Sequence, residues 1–534
     1  MSNHAAQSQK ASRTSALGPL RQPLFRALWI ASVVSNIGTW MQEVGEGWLM
    51  TTLTTSPVLV GLLETAVALP MFLLALPAGA LADILDRRRI LIFTQSWMMV
   101  SAVVLGFLTL TGGVTPGLLL LLSFLLSVGA AVNGPAWQAS IPDLVPPSEL
   151  PSAITLGSVG FNVARAIGPA VGGLVIAGFG PWAAFLLNAL SFVGVIVVLL
   201  SWRREHHESI LPAERIAGAM RAGLRYVRYS PPLQAVLIRT AAFMIFASAM
   251  WATLPFIARH EMELSPLQFG MLIGSFGTGA VIGAAILAYL RQRVPVNNLI
   301  EAATVLFAGL LTTLGFVRMF LPVAAAMFIG GIAWMAMMSS LNTAALTASP
   351  SWVRARSTSV YLLVFMGSFA AGGGLWGFAG SRVGMSYTLA IAAVGLIAGL
   401  ALTLRYRLNT GGGEDLTPSM HWREPVIAFE PHPDRGPVMV TVEYRIQEKK
   451  VREFSEAVHE LGKIRKRDGA VQWGVFRDVA DPERHVETFI VESWAEHMRQ
   501  HERVTIADKA IEERVYSFHT GPDRPKVTHF VYSD

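Results

Sequence analysis

Two carboxylates three residues apart, Glu43 and Glu46, lie in a long apolar stretch of this 534-residue chain. At that spacing they share one face of a helix. With a rise of 1.5 Å per residue, Glu46 falls roughly 10 Å from the end of its stretch near Leu53. The next stretch starts at Pro57 and runs back, which sets Glu64 roughly as deep. Three carboxylates from adjacent antiparallel segments can therefore meet at one level. Arg165, deep in a later apolar stretch, is the obvious counter-charge. Two chemistries follow. Arg165 and one glutamate can form a structural pair while the others reach towards water. Alternatively, a carboxylate of the cluster takes and releases a proton, since ionisable groups in apolar segments are costly and tend to be functional. Spare carboxylates also suit a cationic or hydrogen-bonding substrate. Trp40, Asn36, Asn133, Gln138 and Asn162 add a mixed apolar and hydrogen-bonding lining, suited to a medium-sized amphipathic molecule. Arg239 and Glu301, near segment starts, read as structural.

Other chemistries are absent from the sequence. There are no cysteines, which excludes disulfides, thiolate catalysis and cysteine-ligated metals. No phosphate-binding Gly-x4-Gly-Lys-Ser/Thr loop occurs, so ATP does not drive the protein directly. No nucleic-acid motif is present. His497 and His501 stand four apart on one predicted helix face beside Glu496, but no third ligand is placed. No metal, cofactor or catalytic residue is therefore expected, and the protein does not read as an enzyme.

The elements that must position these groups follow from the charge distribution. Only 15% of residues are Asp, Glu, Lys or Arg, against about 25% in a soluble domain. Residues 1–406 hold 23 Lys and Arg and 13 Asp and Glu, whereas residues 407–534 hold 19 and 23. A single soluble enzyme is excluded, and a membrane part followed by a soluble part is indicated. A crossing helix needs about 20 mostly apolar residues. Twelve such spans are expected, at about 25–53, 57–82, 89–111, 116–140, 150–178, 181–202, 233–258, 266–290, 296–317, 320–346, 356–380 and 385–406. The domain order is a tail (1–24), a six-helix bundle (25–202), a central loop (203–232), a second six-helix bundle (233–406), a Gly/Pro-rich linker (407–437) and a final domain (438–534). Loops on one side carry 18 of the Lys and Arg residues, including six arginines of the central loop, and those opposite carry three, Arg259, Arg318 and Arg382. That asymmetry puts both ends in the cytoplasm. The last 97 residues read as strand, helix, two strands, helix and strand, which gives a ferredoxin-like α+β sandwich. One unbroken helix is expected over 496–513.

The stretch Gly79-Ala80-Leu81-Ala82-Asp83, followed by Asp86-Arg87-Arg88-Arg89, resembles the signature loop between helices 2 and 3 of the major facilitator superfamily. That pattern usually has Gly where Asp86 stands. An Asp tolerates positive φ better than most residues, which would preserve the turn. Gly168-Pro169-Ala170-Val171-Gly172-Gly173 resembles the helix-5 motif of that superfamily's export antiporters. With Gly47-Trp48-Leu49 and Phe161-Asn162-Val163-Ala164-Arg165, the chain resembles the enterobactin-exporter-like, transmembrane secretion effector branch. The final domain resembles antibiotic-biosynthesis-monooxygenase-like domains.

The resemblance implies a twelve-helix fold of duplicated halves and alternating access. It implies that Asp83 meets the start of helix 11, where Arg354 and Arg356 stand; Gly79, Arg87 and Arg88 are candidates for the same gate, with Arg87–Arg89 as a topology anchor at the anionic cytoplasmic leaflet the other reading. It also implies a secondary active exporter in the bacterial inner membrane, moving a siderophore-like or drug-like molecule against protons. An importer or symporter of the same fold is the alternative, as is a transporter fused to a catalytic monooxygenase-like domain. The expected partners are the small-molecule substrate, protons and the lipid bilayer, with self-association through the final domain open.

Overall fold

The computed structural model describes residues 17–202, 216–408, 415–422 and 431–533. Lys10, Arg13, Arg203, Arg204, Arg215 and the Gly411-Gly412-Gly413 run lie outside the described residues. The first half consists of α1 (Pro23–Leu53), α2 (Pro57–Ile84), α3 (Arg87–Leu110), α4 (Pro116–Ser140), α5 (Leu150–Phe179) and α6 (Pro181–Ser201). Proline opens α1, α2, α4 and α6, where its missing N–H and fixed φ cost nothing. A helix α7 (Ile216–Tyr229) follows. The second half consists of α8 (Pro231–Ala247), α9 (Ala249–Phe256), α10 (Pro266–Leu290), α11 (Val296–Phe316), α12 (Phe320–Thr347), α13 (Arg354–Val383) and α14 (Met385–Thr403). Helices α8 and α9 form one span interrupted at Ser248, and a π-helical turn, Ile257–Glu261, closes it.

Eleven described segments are long and apolar enough to cross a membrane. Helix α1 is not among them. It is 31 residues long, but carries the polar residues Ser35, Asn36, Gln42, Glu43 and Glu46. The expected span bounds agree with the helices to within a few residues.

Three local expectations are corrected. The arginine-rich central segment contains α7 where only a loop was expected. Its Tyr226 is buried, with its ring 5.8 Å from and perpendicular to that of Trp352, beside Leu233 and Val353. Asp86 has φ −62°, not a positive angle. It is the N-cap of α3, with its carboxylate accepting from the N–H groups of Arg88 (2.9 Å) and Arg89 (3.4 Å). The helix expected over 496–513 is two helices, because Thr505 begins a new one with a reciprocal Thr505–Asp508 capping box.

The chain folds as two compact units. One comprises residues 1–210, 239–340 and 362–405, and thus most of both helical halves. The other comprises 211–238, 341–361 and 406–534. In the second, β1 (Val438–Arg445), β2 (Gln472–Arg477), β3 (Arg484–Val491) and β4 (Lys526–Val531) form an antiparallel sheet in the order β2-β3-β1-β4. Helices α15 (Val451–Asp468), α16 (Trp494–Arg503) and α17 (Ile506–Tyr516) complete it. Alternate residues of β1 and β3 are buried, and Val440, Phe454, Leu461, Phe489 and Val515 form its core. This is the ferredoxin-like arrangement.

Candidate functional site

In the helical unit the three glutamates come together. Glu43 and Glu46 of α1 and Glu64 of α2 line one cavity of about 50 Å³. Its other walls come from the second half: Met250, Trp251 and Leu254 of α9, and Phe269, Ile273 and Phe276 of α10. The cavity thus lies where the halves meet. The carboxylates are graded in exposure, with Glu43 exposed, Glu64 half-buried and Glu46 only 6% exposed. Glu46 Oε1 accepts from Gln42 Nε2 at 2.7 Å, and Gln42 Oε1 accepts from Asn188 Nδ2 of α6 at 2.6 Å. This relay was not anticipated from the sequence. The i, i+4 spacing of Gln42 and Glu46 is the signal that could have shown its first link.

Arg165 couples electrostatically to Glu43. Its guanidinium lies 5.6 Å from the ring centroids of both Trp40 and Phe276. Trp251 belongs to an aromatic cluster with Phe276, Phe307, Trp334 and Phe369, the closest ring centroids being 4.5 Å apart. The expected polar lining divides. Asn36 lines a second cavity of about 60 Å³ in the first half, with Trp137 and Phe161. Asn133 Oδ1 instead accepts from Thr94 (3.0 Å) and Gln95 (3.3 Å) of α3, so it binds a neighbouring helix. Asn162 donates to Ser158 O in its own helix at 2.8 Å, and Gln138 is exposed.

The helix-5 glycines are contact points. A Cβ on Gly168 would lie 2.6 Å from Trp40 Cβ, and one on Gly172 would lie 2.9 Å from Met41 Cα. Gly173 faces the other half, with Pro266 O at 2.8 Å and Gly270 Cα at 3.2 Å from such a Cβ. Pro169 sits inside an unbroken α5, and its carbonyl faces Gly270. A matching contact joins α2 to α13, where Gly61 meets Gly373 and Gly377 and Thr65 Oγ1 donates to Ala370 O at 2.7 Å. The glycine run at 372–374 is the sequence signal for it. Both contacts lie towards the end of the unit that carries the turn at residues 54–56. Towards the other end, a Cβ on Gly79, Gly134 or Gly157 would meet nothing within 4 Å.

Of the expected gate, the Asp83 side chain lies outside the described residues. Arg87 donates to Ala139 O (2.7 Å) and lies 3.6 Å from Asp143, while Arg88 donates to Leu199 O and Leu200 O (2.8 Å each). These arginines therefore cap the closing carbonyls of α4 and α6. Arg354 donates to Ser349 O at 3.3 Å, and the Arg356 Cβ lies 2.9 Å from where a Cβ on Gly223 would be. Arg239 is 3% exposed and donates to Thr403 O at 3.2 Å, so it caps α14.

In the second unit His497 and His501 are joined by His529, their rings 5.1 and 4.8 Å from that of His497. Among the described residues, no group of three or more His, Asp or Glu is placed to hold a metal ion. Burial, then the neighbouring His529 and His501, push the His497 imidazole down to about 3.

These elements define a membrane transporter of two helical bundles around a cavity at their junction. Residues 14–534 match the family described as transmembrane secretion effector, of the major facilitator superfamily, and the chain belongs to it. The match runs through the final domain. The family and its relatives are transporters, not enzymes. Similar proteins include the staphyloferrin A transporter of Staphylococcus aureus, 23% identical over 52% of this chain and 70% of its own. The multidrug efflux pump Tap of Mycolicibacterium fortuitum is 25% identical over 67% and 87%. The enterobactin exporter EntS of Salmonella typhi is 25% identical over 72% and 92%. Among solved structures, an inward-facing, unoccupied bacterial homolog of the human lysosomal transporter Spinster shares the fold at TM-score 0.58, with 15% identity over 73% of this chain and 97% of its own. An inward-facing bacterial homologue of the iron transporter ferroportin does so at TM-score 0.57, with 15% identity over 72% and 98%.

Proposed function

We infer that the protein is a proton-coupled exporter of a small amphipathic organic molecule, siderophore-like or drug-like, across the bacterial inner membrane, with both termini cytoplasmic. The observation that carries this is the trio Glu43, Glu46 and Glu64 in one cavity between the halves, graded from exposed to buried. A carboxylate reachable from water next to one sealed inside is the arrangement a proton carrier needs. The aromatic wall of the second half suits an apolar cargo face, and the efflux and siderophore transporters among its relatives favour the outward direction.

With the termini cytoplasmic, the halves touch at the outer end through Gly61–Gly377 and Gly173–Gly270. The arrangement is then the inward-facing stage of alternating access. Asp83, at the inner end of α2, is assigned the latch that forms when this side closes.

The test is a pH jump across proteoliposomes loaded with a cationic amphiphilic dye as reporter cargo. Glu46→Gln keeps the hydrogen bond from Gln42 but loses the charge. It should abolish proton-driven dye movement while leaving energy-independent exchange. Glu43→Gln and Glu64→Gln should each slow it by roughly a hundredfold or more, the range of general acid–base effects. Asp83→Asn should fold normally and stall the cycle. Unchanged proton-driven movement in all three glutamine variants sinks the coupling assignment.

A further inference from the structure

A cavity larger than the one between the helical bundles lies elsewhere in the chain. It lies in the final domain, between the inner face of the sheet and α15–α17, with a volume of about 780 Å³. That is the size of small-molecule sites in general. Nothing in the transport cycle uses it.

Its walls are unusually rich in rings. Trp422, Phe489, Tyr516, His497, His501 and His529 all line it. Its buried charges are paired. Arg465, 3% exposed, is paired with Glu487 (3.2 Å) and Glu512 (3.3 Å) and stacks at 4.8 Å on Trp422 and 5.1 Å on Phe489. Glu512 also accepts from Trp422 Nε1 (2.8 Å) and Tyr516 Oη (2.6 Å), and contacts His421 Nε2 (3.0 Å). Burial pushes the Glu512 carboxyl up, but Arg465 and these hydrogen bonds outweigh it and hold the group below the usual carboxylate range. Asp523 and Arg524, of opposite sign, also line the cavity, so its walls carry no excess of either charge.

Among the described lining atoms, one buried polar atom lacks a partner. His497 is 1% exposed, and its Nε2 has no hydrogen-bond partner. Its Nδ1 lies 3.3 Å from Gln500 Oε1. An amide oxygen can only accept, so Nδ1 carries the hydrogen and Nε2 is a bare acceptor. A buried acceptor without a donor is costly, and in a ring-lined cavity it asks for a ligand that brings one.

We propose that this cavity is a second ligand site, distinct from the transport cavity, for a planar aromatic molecule whose hydroxyl donates to His497 Nε2. The fold also supplies a readout. Helix α16 carries His497 and His501 into the cavity, while its Glu496 and Arg503 face the neighbouring helices of the same unit. Glu496 pairs with Arg225 of α7 at 3.0 Å, and the Arg503 guanidinium lies 4.5 Å from the Trp352 ring. Trp352 precedes α13, and Trp352 and α7 stand next to the chain that enters the second bundle.

The test is isothermal titration of the full chain in nanodiscs with 2-naphthol, and with 2-methoxynaphthalene as the analogue that cannot donate. Saturable 2-naphthol binding is expected, with the methoxy analogue weaker by at least roughly tenfold, as sites built around a hydroxyl discriminate. His497→Phe should weaken 2-naphthol by a similar factor, and Thr528→Trp, which fills the cavity from its edge, should abolish binding. Retained melting behaviour of either variant establishes that it is folded, so one folded variant suffices. Glu46→Gln should bind 2-naphthol normally, which separates this site from the transport assignment. Bound 2-naphthol should also change hydrogen exchange in α7. No saturable binding, equal binding of both probes, or full binding in a folded His497→Phe or Thr528→Trp variant overturns the proposal.

Discussion

At the scale of single residues, burial decides what each titratable group can do. His497 is the clearest case. Its imidazole is held down to about 3 by burial, then by the proximity of His529 and His501. The unfolded chain has it near 6.5, so below that pH the unfolded state binds a proton that the folded state refuses. Stability is therefore full above the unfolded value and falls as pH drops from 6.5 towards 3. Between pH 7 and 5 the loss from this one residue is about 2 kcal/mol. The calorimetric melting transition of the final domain, followed in the full chain, should move down across that interval, and in His497→Phe it should move less. An equal pH dependence in the variant would show that His497 is not the group responsible. Glu512 acts in a different window, because its carboxyl lies below the usual range and its contribution is lost only in stronger acid.

At the scale of elements, close backbone contact sets which helices form the seam between halves. A Cβ on Gly270 would lie 2.5 Å from Pro169 O and 2.9 Å from Gly173 Cα, both backbone atoms of α5 that cannot swing aside. Gly270→Val must therefore open the α5–α10 contact, at about 1–3 kcal/mol for overpacking of this kind. Transport in proteoliposomes should drop by roughly tenfold or more at normal expression, whereas Gly157→Val, at a position with open space, should be tolerated. Wild-type rates for Gly270→Val would mean the seam does not carry the cycle. Helix bounds were legible in the sequence because apolar runs between prolines and glycines leave few alternatives, and the level shared by Glu43, Glu46 and Glu64 followed from helix rise alone. What was not legible depended on partners far along the chain. Asn133 turned to Thr94 and Gln95, Gln42 found Asn188, and the central segment folded into α7 around Tyr226 and Trp352. Asp86 misled because a residue that tolerates a left-handed turn is also a strong N-cap, and the capping role won.

At the scale of the whole molecule, the proposed alternating access requires the contacts between the two halves to part. In the helical unit the halves meet through the α2–α13 and α5–α10 contacts, and the cavity of glutamates lies between the halves. The absence of cysteine from all 534 residues makes this directly testable, since any introduced pair is the only one present. Thr65 Oγ1 and Ala370 O are 2.7 Å apart across the seam, in two helices from different halves. The double variant Thr65→Cys, Gly374→Cys, with the new Cβ 3.7 Å from Thr65 Oγ1, should cross-link with a short bifunctional reagent or by oxidation. If alternating access requires this seam to part, cross-linking must stop net transport completely, and reduction of the disulfide form must restore it. The opposite end should stay as it is, so a single Gly157→Cys introduced into the cross-linked protein should still react with a water-soluble maleimide. Transport that continues through the locked seam would rule out rocking about this contact, and loss of Gly157→Cys labelling on cross-linking would mean that the seam and the open end do not belong to the same state.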